Sequence, residues 1–278
     1  MSTQSGGMAL EDNLEDVLGK ALVGLGLSPE EAGQGCGLSE AEVRAALAGE
    51  KEHMVPLADA LGLHGENFRL LAAGRHQPGP AREWSNGIGW KQFTTDFSGM
   101  LVHSYVLWDE AKKEAVVFDT GADATEMLEF LRAKELRVAA VYLTHTHGDH
   151  IFDLDRLCEK TGAPAFGPAG EPLEGVRPLA AGDTVSCGQL TGRVLSTKGH
   201  SADGLTYFWE GGEIPLAVVG DALFAGSMGG PKISYAQSLA GVRTILELPD
   251  ETLLCPGHGP CTTVAEEKRG NPFWGARM

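Results

Sequence analysis

Residues 142–151 read YLTHTHGDHI, and they follow an apolar run so that 139–143 is AAVYL. Four side chains able to hold a metal then arrive within six residues: His145, His147, Asp149 and His150. Five apolar residues ending in a polar cluster describe a buried strand that delivers its ligands at one end. On an extended segment His145 and His147 face the same side, because side chains alternate with a period of two. Gly148 is expected to turn the chain sharply, so that Asp149 and His150 come back toward the same point. Imidazole and carboxylate together suit zinc, iron or manganese.

Working outward, the same placement recurs. His200 lies in STKGHSADG, Asp221 ends the apolar run PLAVVGD, and His258 lies in LLCPGHGP. Each stands just past an apolar stretch and beside glycine. A site built on one rim of a layered sheet requires this repetition. The four other histidines, His53, His64, His76 and His103, are expected at the surface or packed.

The elements around these residues alternate. FSGMLVHSYVLWD and EAVVFDTGA read as strands joined by a polar turn, ATEMLEFLRAKEL and FDLDRLCEKTG as helices, and short strands are expected near Val185, 193–196, 205–209 and 216–219. SYAQSLAGVRTILEL reads as a helix, and TLLCPGHGP as a last strand. Alternating strands and helices give an α/β or α+β class with a layered sheet. Residues 8–73 differ: they read as helical throughout, and Ser28 followed by Glu31 and Ser39 followed by Glu42 match capping-box starts. The stretch GRHQPGPAREW has the texture of a linker. The division expected is a helical module over 1–80 and a catalytic domain over 81–278.

The chain has 278 residues, of which 42% are hydrophobic, and a formal net charge of -16. That charge disfavours an electrostatic grip on nucleic acid or on an anionic membrane. Five cysteines with no CxxC pair suggest a reducing compartment. The N-terminus lacks a basic stretch followed by an apolar one, and no apolar run approaches the roughly 18 residues that span a bilayer. A cytoplasmic protein is expected, without membrane partners.

The motifs THTHGDH (144–150), GH (199–200), GDALF (220–224) and PGHGP (256–260), with the tail EEKRGNPF (266–273), resemble the metallo-β-lactamase superfamily and, within it, the glyoxalase II-like branch. The resemblance covers about residues 84–275. It implies an αβ/βα sandwich with metals at one edge. By this resemblance His145, His147 and His200 would hold one metal, Asp149, His150 and His258 a second, and Asp221 would bridge them. Asp119, in FDTGA (118–122), would brace the ligand loop. The cofactors implied are two divalent ions, zinc first, with iron or manganese as alternatives. Two ions a few ångströms apart lower the pKa of a bridging water and make hydroxide available near neutral pH. Asp149 would also orient the attacking oxygen. The reaction implied is hydrolysis of a small thioester of the hydroxyacylglutathione type. Where that branch carries a basic residue after its Gly-rich turn, this chain has Gly230, so Lys232 and Tyr235 are nominated as substrate contacts.

Two other readings stay open. A persulfide dioxygenase on the same fold would use one iron, held by His145, His200 and Asp221. A regulator is the alternative of another class, because residues 28–49 weakly resemble the helix-turn-helix of Cro-like repressors. A DNA reader presents basic and amide side chains from its second helix, yet here that helix carries Glu40, Glu42 and Glu50 against Arg44. Residues 1–80 hold 12 acidic and 5 basic side chains, a net of -7. Packing on the catalytic domain, or on a second copy of the chain in a homodimer, is the role this module is expected to have.

Overall fold

The computed structural model describes residues 9–79 and 87–277. Five short helices come first: α1 (Leu14–Leu25), α2 (Pro29–Cys36), α3 (Glu40–Leu47), α4 (Met54–Ala60) and α5 (Gly65–Ala72), with a single 3-10 turn at Lys51–His53. Both expected capping boxes are present. Ser28 and Ser39 accept the amides of Glu31 and Glu42, whose carboxylates accept the serine amides in return. Asn13 and Asp16 start α1 in the same way.

Two six-stranded sheets follow. The first contains β1 (Ile88–Phe97), β2 (Met100–Asp109), β3 (Glu114–Phe118), β4 (Arg137–Tyr142), β5 (Ala165–Pro168) and β6 (Val176–Leu179), in that order across the sheet. Helices α6 (Thr125–Ala133), α7 (Gly148–Ile151) and α8 (Leu154–Thr161) lie between its strands in sequence. The second contains β7 (Thr184–Cys187), β8 (Leu190–Ser196), β9 (Leu205–Glu210), β10 (Leu216–Gly220), β11 (Leu253–Pro256) and β12 (Thr262–Thr263), with α9 (Tyr235–Leu246) between β10 and β11 and α10 (Val264–Gly270) last.

Alternation along the strands explains the layers. Val116 and Phe118 face the space between the sheets, where they pack with Tyr142, Tyr207 and Trp209, while Val117 faces α6 and α8 through Met127, Leu131 and Leu157. On the second sheet Val218 points inward and Ala217 and Val219 point outward, toward Leu239, Val242 and Ile245 of α9. The result is the expected αβ/βα sandwich.

The N-terminal helices build no core apart from this. Val17, Leu18, Val43, Leu57 and Phe68 belong to the same buried cluster as Ala217, Val219 and α9. The expected packing of the helices on the rest of the chain is thus present, and the five helices complete the outer layer of the second sheet. The expected boundary near residue 80 lies outside the described residues. Among the described residues no helix is long and apolar enough to cross a membrane.

Four strands go beyond the sequence expectation: β1, β5, β6 and the two-residue β12. β1 and β6 are the edges of the first sheet. Edge strands bury less surface, and β1 is half-buried at most positions, so its hydrophobic signal is weak. β6 carries Pro178, which edge strands tolerate because one row of amides is unpaired there.

Candidate metal centre

Parallel neighbours end on the same edge of a sheet. β3 pairs parallel with β4, and β10 with β11. The loops leaving these strands carry Asp119, His145–His150, Asp221 and His258, and the loop after β8 adds His200. Backbone bonds stitch the loops together: Leu205 N donates to Thr144 O (2.8 Å), Gly257 N to Gly220 O (3.0 Å) and Thr120 N to His150 O (2.7 Å).

The seven residues expected as ligands converge. Three overlapping sets have one donor atom per residue within 4.8 Å of each other: His145, His147 and His200; His145, His150 and Asp221; Asp149, His150 and His258. The Asp221 carboxylate lies between the two triads. Its Oδ2 is 3.3 Å from His200 Nε2 and 3.5 Å from His258 Nε2, and its Oδ1 is 3.2 Å from His150 Nε2. Asp149 Oδ2 is 3.3 Å from His258 Nε2 and 3.4 Å from His150 Nε2.

The imidazoles share one arrangement. His150 Nδ1 donates to Asp119 Oδ2 (2.9 Å), His200 Nδ1 to Gly230 O (2.9 Å) and His258 Nδ1 to Leu101 O (2.6 Å). His145 Nδ1 meets Thr144 Oγ1 at 3.0 Å. Each ring is tied by Nδ1, which leaves Nε2 directed inward; an outer partner of this kind sets tautomer and orientation at metal sites. His147 is turned the other way, with Nδ1 3.0 Å from His200 Nε2.

These donors fit a metal better than they fit each other. His145 Nε2, His150 Nε2 and Asp221 Oδ1 are buried without a hydrogen-bond partner among the described residues, although His150 Nε2 and Asp221 Oδ1 stand 3.2 Å apart. Buried polar atoms left unpaired cost about 1–3 kcal/mol each, and a donor atom from each of His145, His150 and Asp221 lies within 4.8 Å of the other two, a set that fits a cation. Glycine makes the approach possible at two places. A Cβ on Gly257 would stand 2.2 Å from Asp221 Oδ1 and 2.6 Å from His150 Cε1, and one on Gly229 would stand 2.0 Å from Asp221 O.

The electrostatics follow from burial against three carboxylates. Burial lowers the His200 pKa to about 4, and burial followed by the charge of His150 holds His145 well below its ordinary value. Burial acts the same way on His258, but the carboxylates of Asp149 and Asp221 outweigh it and lift its pKa to about 10. For His150, burial is likewise outweighed by Asp221 and Asp119, and its pKa is raised.

The expected turn at Gly148 has a different cause. Gly148 is absent from the residues with positive φ, and the chain instead folds back through the single helical turn of α7, with His147 as its N-cap. Tyr235 is also placed differently from the expectation. As the first residue of α9 after the cap Ser234 it is turned into the core, with its ring against Gly24 of α1. Lys232 is exposed, and its charge adds to burial in lowering the pKa values of His147 and His200.

Several residues support the centre without having been assigned that role from the sequence. His103 donates its backbone amide to Gly257 O (2.8 Å) and binds Gly259 O through Nε2 (2.8 Å), so it shapes the His258 loop from both sides. Glu171 accepts Thr146 N (2.9 Å) and Asp203 N (2.7 Å), joining the His145 and His200 loops. Beneath the Asp221 loop, buried Glu267 accepts from His76 (2.9 Å), Gly226 N (2.9 Å), Thr262 (2.8 Å) and Asn271 (2.9 Å). Asn271 in turn donates to Ser227 O (2.7 Å), which gives the tail motif a structural job. His64 caps α5, accepting the amide of Asn67.

Fold and donor set together define a metallo-hydrolase-type centre, and the family model of the metallo-beta-lactamase superfamily matches residues 98–258. The chain belongs to that superfamily. It is 38% identical over 153 residues to the hydroxyacylglutathione hydrolase of Halorhodospira halophila, a match covering 54% of this chain and 58% of that one. Among solved structures it resembles ETHE1 from Myxococcus xanthus (31% identity, TM-score 0.58, covering 66% of this chain and 83% of that one). It also resembles TTHA1623, solved in a di-iron-bound form (27% identity, TM-score 0.55, covering 65% of this chain and 99% of that one). The chain thus spans little more than half the length of the hydroxyacylglutathione hydrolase it matches.

Proposed function

We propose that the protein is a dinuclear metal-dependent hydrolase of a small thioester, of the hydroxyacylglutathione type. The observation carrying this reading is the Asp221 carboxylate, held between one triad of His145, His147 and His200 and another of Asp149, His150 and His258. Each triad with Asp221 would supply one ion with four donors, the number usual for zinc. When bound, such ions supply Lewis acidity and lower the pKa of water in contact with them.

The chain's own groups do the rest. The Nδ1 partners keep the ligating rings in one orientation. Asp149, with Oδ2 near both His150 and His258, would orient the attacking water while serving as a ligand. The leaving thiol has an ordinary pKa near 8.5, so it departs as thiolate with little need of a protein acid. Lys232, exposed beside His147 and His200, offers its ammonium to a carboxylate of the thiol carrier.

The test is elemental analysis of the purified chain together with hydrolysis of a lactoyl-glutathione substrate. Two metals per chain with thioester cleavage support the reading. One iron per chain, no cleavage, and oxygen uptake with glutathione persulfide would replace it with the dioxygenase reading. A gel shift with DNA, alongside an inert metal centre, would replace it with the regulator.

A further inference from the structure

The N-terminal module reaches the loops that carry the metal-ligand candidates. Asp12, just before α1, pairs with Lys20 of α1 and accepts a hydrogen bond from Ser227 Oγ. Lys20 Nζ also donates to Met228 O (2.8 Å) and lies 5.0 Å from the centre of the Phe224 ring. That ring meets the His258 ring edge to face, with centroids 5.6 Å apart and planes at 89°. Glu11 closes the same side, for a Cβ added to Gly259 would stand 3.1 Å from Glu11 Cβ and 3.1 Å from its amide nitrogen. Asp12 and Lys20 are mostly buried, with side chains 10% and 17% exposed.

What these residues hold is the segment that follows Asp221. Gly229 N donates to Asp221 O (3.1 Å), and Gly230 O accepts His200 Nδ1 (2.9 Å). Ser227 and Met228, the two residues gripped by Asp12 and Lys20, immediately precede these two. From below, Glu267 and Asn271 hold Gly226 and Ser227. The loop is therefore fastened on one side by the C-terminal helix and on another by the N-terminal module.

We propose that the N-terminal module is a working wall of the metal centre, in which Asp12 and Lys20 clamp the 224–230 loop that positions Asp221, His200 and His258. The proposal rests on reading the cluster as a metal centre. Asp12 and Lys20 are positioning residues: they touch neither ion nor substrate, and they act by limiting where three donors can move. Groups that orient ligands are typically worth about 10- to 100-fold in metal affinity, and a clamp one layer further out belongs at the lower end.

The experiment uses the full chain stripped of metal, titrated with zinc against a chromogenic chelator. Asp12→Asn and Lys20→Met are compared with Arg44→Ala, which breaks an exposed ion pair with Glu40 in the same module. About tenfold weaker zinc binding is expected for the first two and none for the third. Amide exchange of the metal-free chain over 222–230 supplies a second readout, and it should quicken in the clamp variants alone. Wild-type zinc affinity and unchanged exchange in folded Asp12→Asn and Lys20→Met would overturn the proposal. Should Lys20→Met fail to fold, the near-isosteric Asp12→Asn decides by the same two measurements. A wild-type chain that binds no zinc would overturn the metal reading, and this proposal with it.

Discussion

Asp119→Asn is the substitution that isolates ligand orientation from ligation. Asp119 is 2% exposed, and its carboxylate accepts three described hydrogen bonds. Oδ1 takes Thr144 N (2.8 Å), while Oδ2 takes both Thr144 Oγ1 (2.8 Å) and His150 Nδ1 (2.9 Å). An amide has one oxygen, so it must fail at one side. With its NH2 at the Oδ1 position, two N–H groups confront each other and Thr144 N is left buried without an acceptor, costing about 1–3 kcal/mol of stability. His150 then keeps an acceptor, but a neutral one of roughly half the strength. With NH2 at the Oδ2 position, His150 Nδ1 must accept, so the proton that the neutral ring keeps sits on Nε2. That is the nitrogen facing Asp221 and Asp149, and a protonated nitrogen cannot bind metal. Either placement weakens the centre without removing a ligand. Zinc affinity should fall about 10- to 100-fold, equivalent to about 1.4–2.7 kcal/mol. Competition against a chromogenic chelator reads this directly, with circular dichroism to verify folding. An Asp119→Asn protein that binds zinc within about threefold of wild type would refute the bracing role.

Gly257→Ala should leave a folded protein that purifies without metal, because its Cβ would overlap Asp221 Oδ1 and His150; normal metal content would show that the loops yield. Glu267→Gln should lower unfolding stability by about 3–5 kcal/mol, since it breaks a buried pair, with urea unfolding as the assay. The loss should also depend on pH. Burial lowers the His76 pKa, but Glu267 outweighs it and raises the folded value. The pair's contribution is then full below the ordinary histidine pKa and fades as pH rises through the folded one. The wild-type–variant gap should therefore narrow as pH rises, and a gap constant with pH would remove the ion-pair explanation. Zinc uptake near pH 7 should release protons, because His258, with a pKa of about 10, and His150, also raised, are charged in the metal-free chain. Calorimetry in two buffers of different ionisation enthalpy counts them, and a count of zero would contradict the charge assignment.

Much of the centre was legible in local patterns. HxHxDH after AAVYL, and Gly-flanked His200, Asp221 and His258 after apolar runs, could be read because a strand end is a local event. The capping boxes at Ser28 and Ser39 were legible for the same reason, each being closed within four residues. β1 and β6 were not, because edge strands lack the burial that writes alternation into a sequence. Tyr235 was misplaced because its position beside Lys232 in the chain said nothing of which side of α9 it occupies. Within the described residues it is packed against Gly24, more than two hundred positions away.

The sequence by itself determined the donor types, their strand-end positions and the layered class, since each depends on neighbours in the chain. Tertiary structure alone decided that Asp221 lies between two triads, that Asp119, Gly230 and Leu101 orient the rings, and that α1 lies on the Asp221 loop. Those contacts join residues far apart in sequence, such as Lys20 and Met228. Side-chain periodicity carries no information about them, because it reports which face of an element is buried and not what buries it.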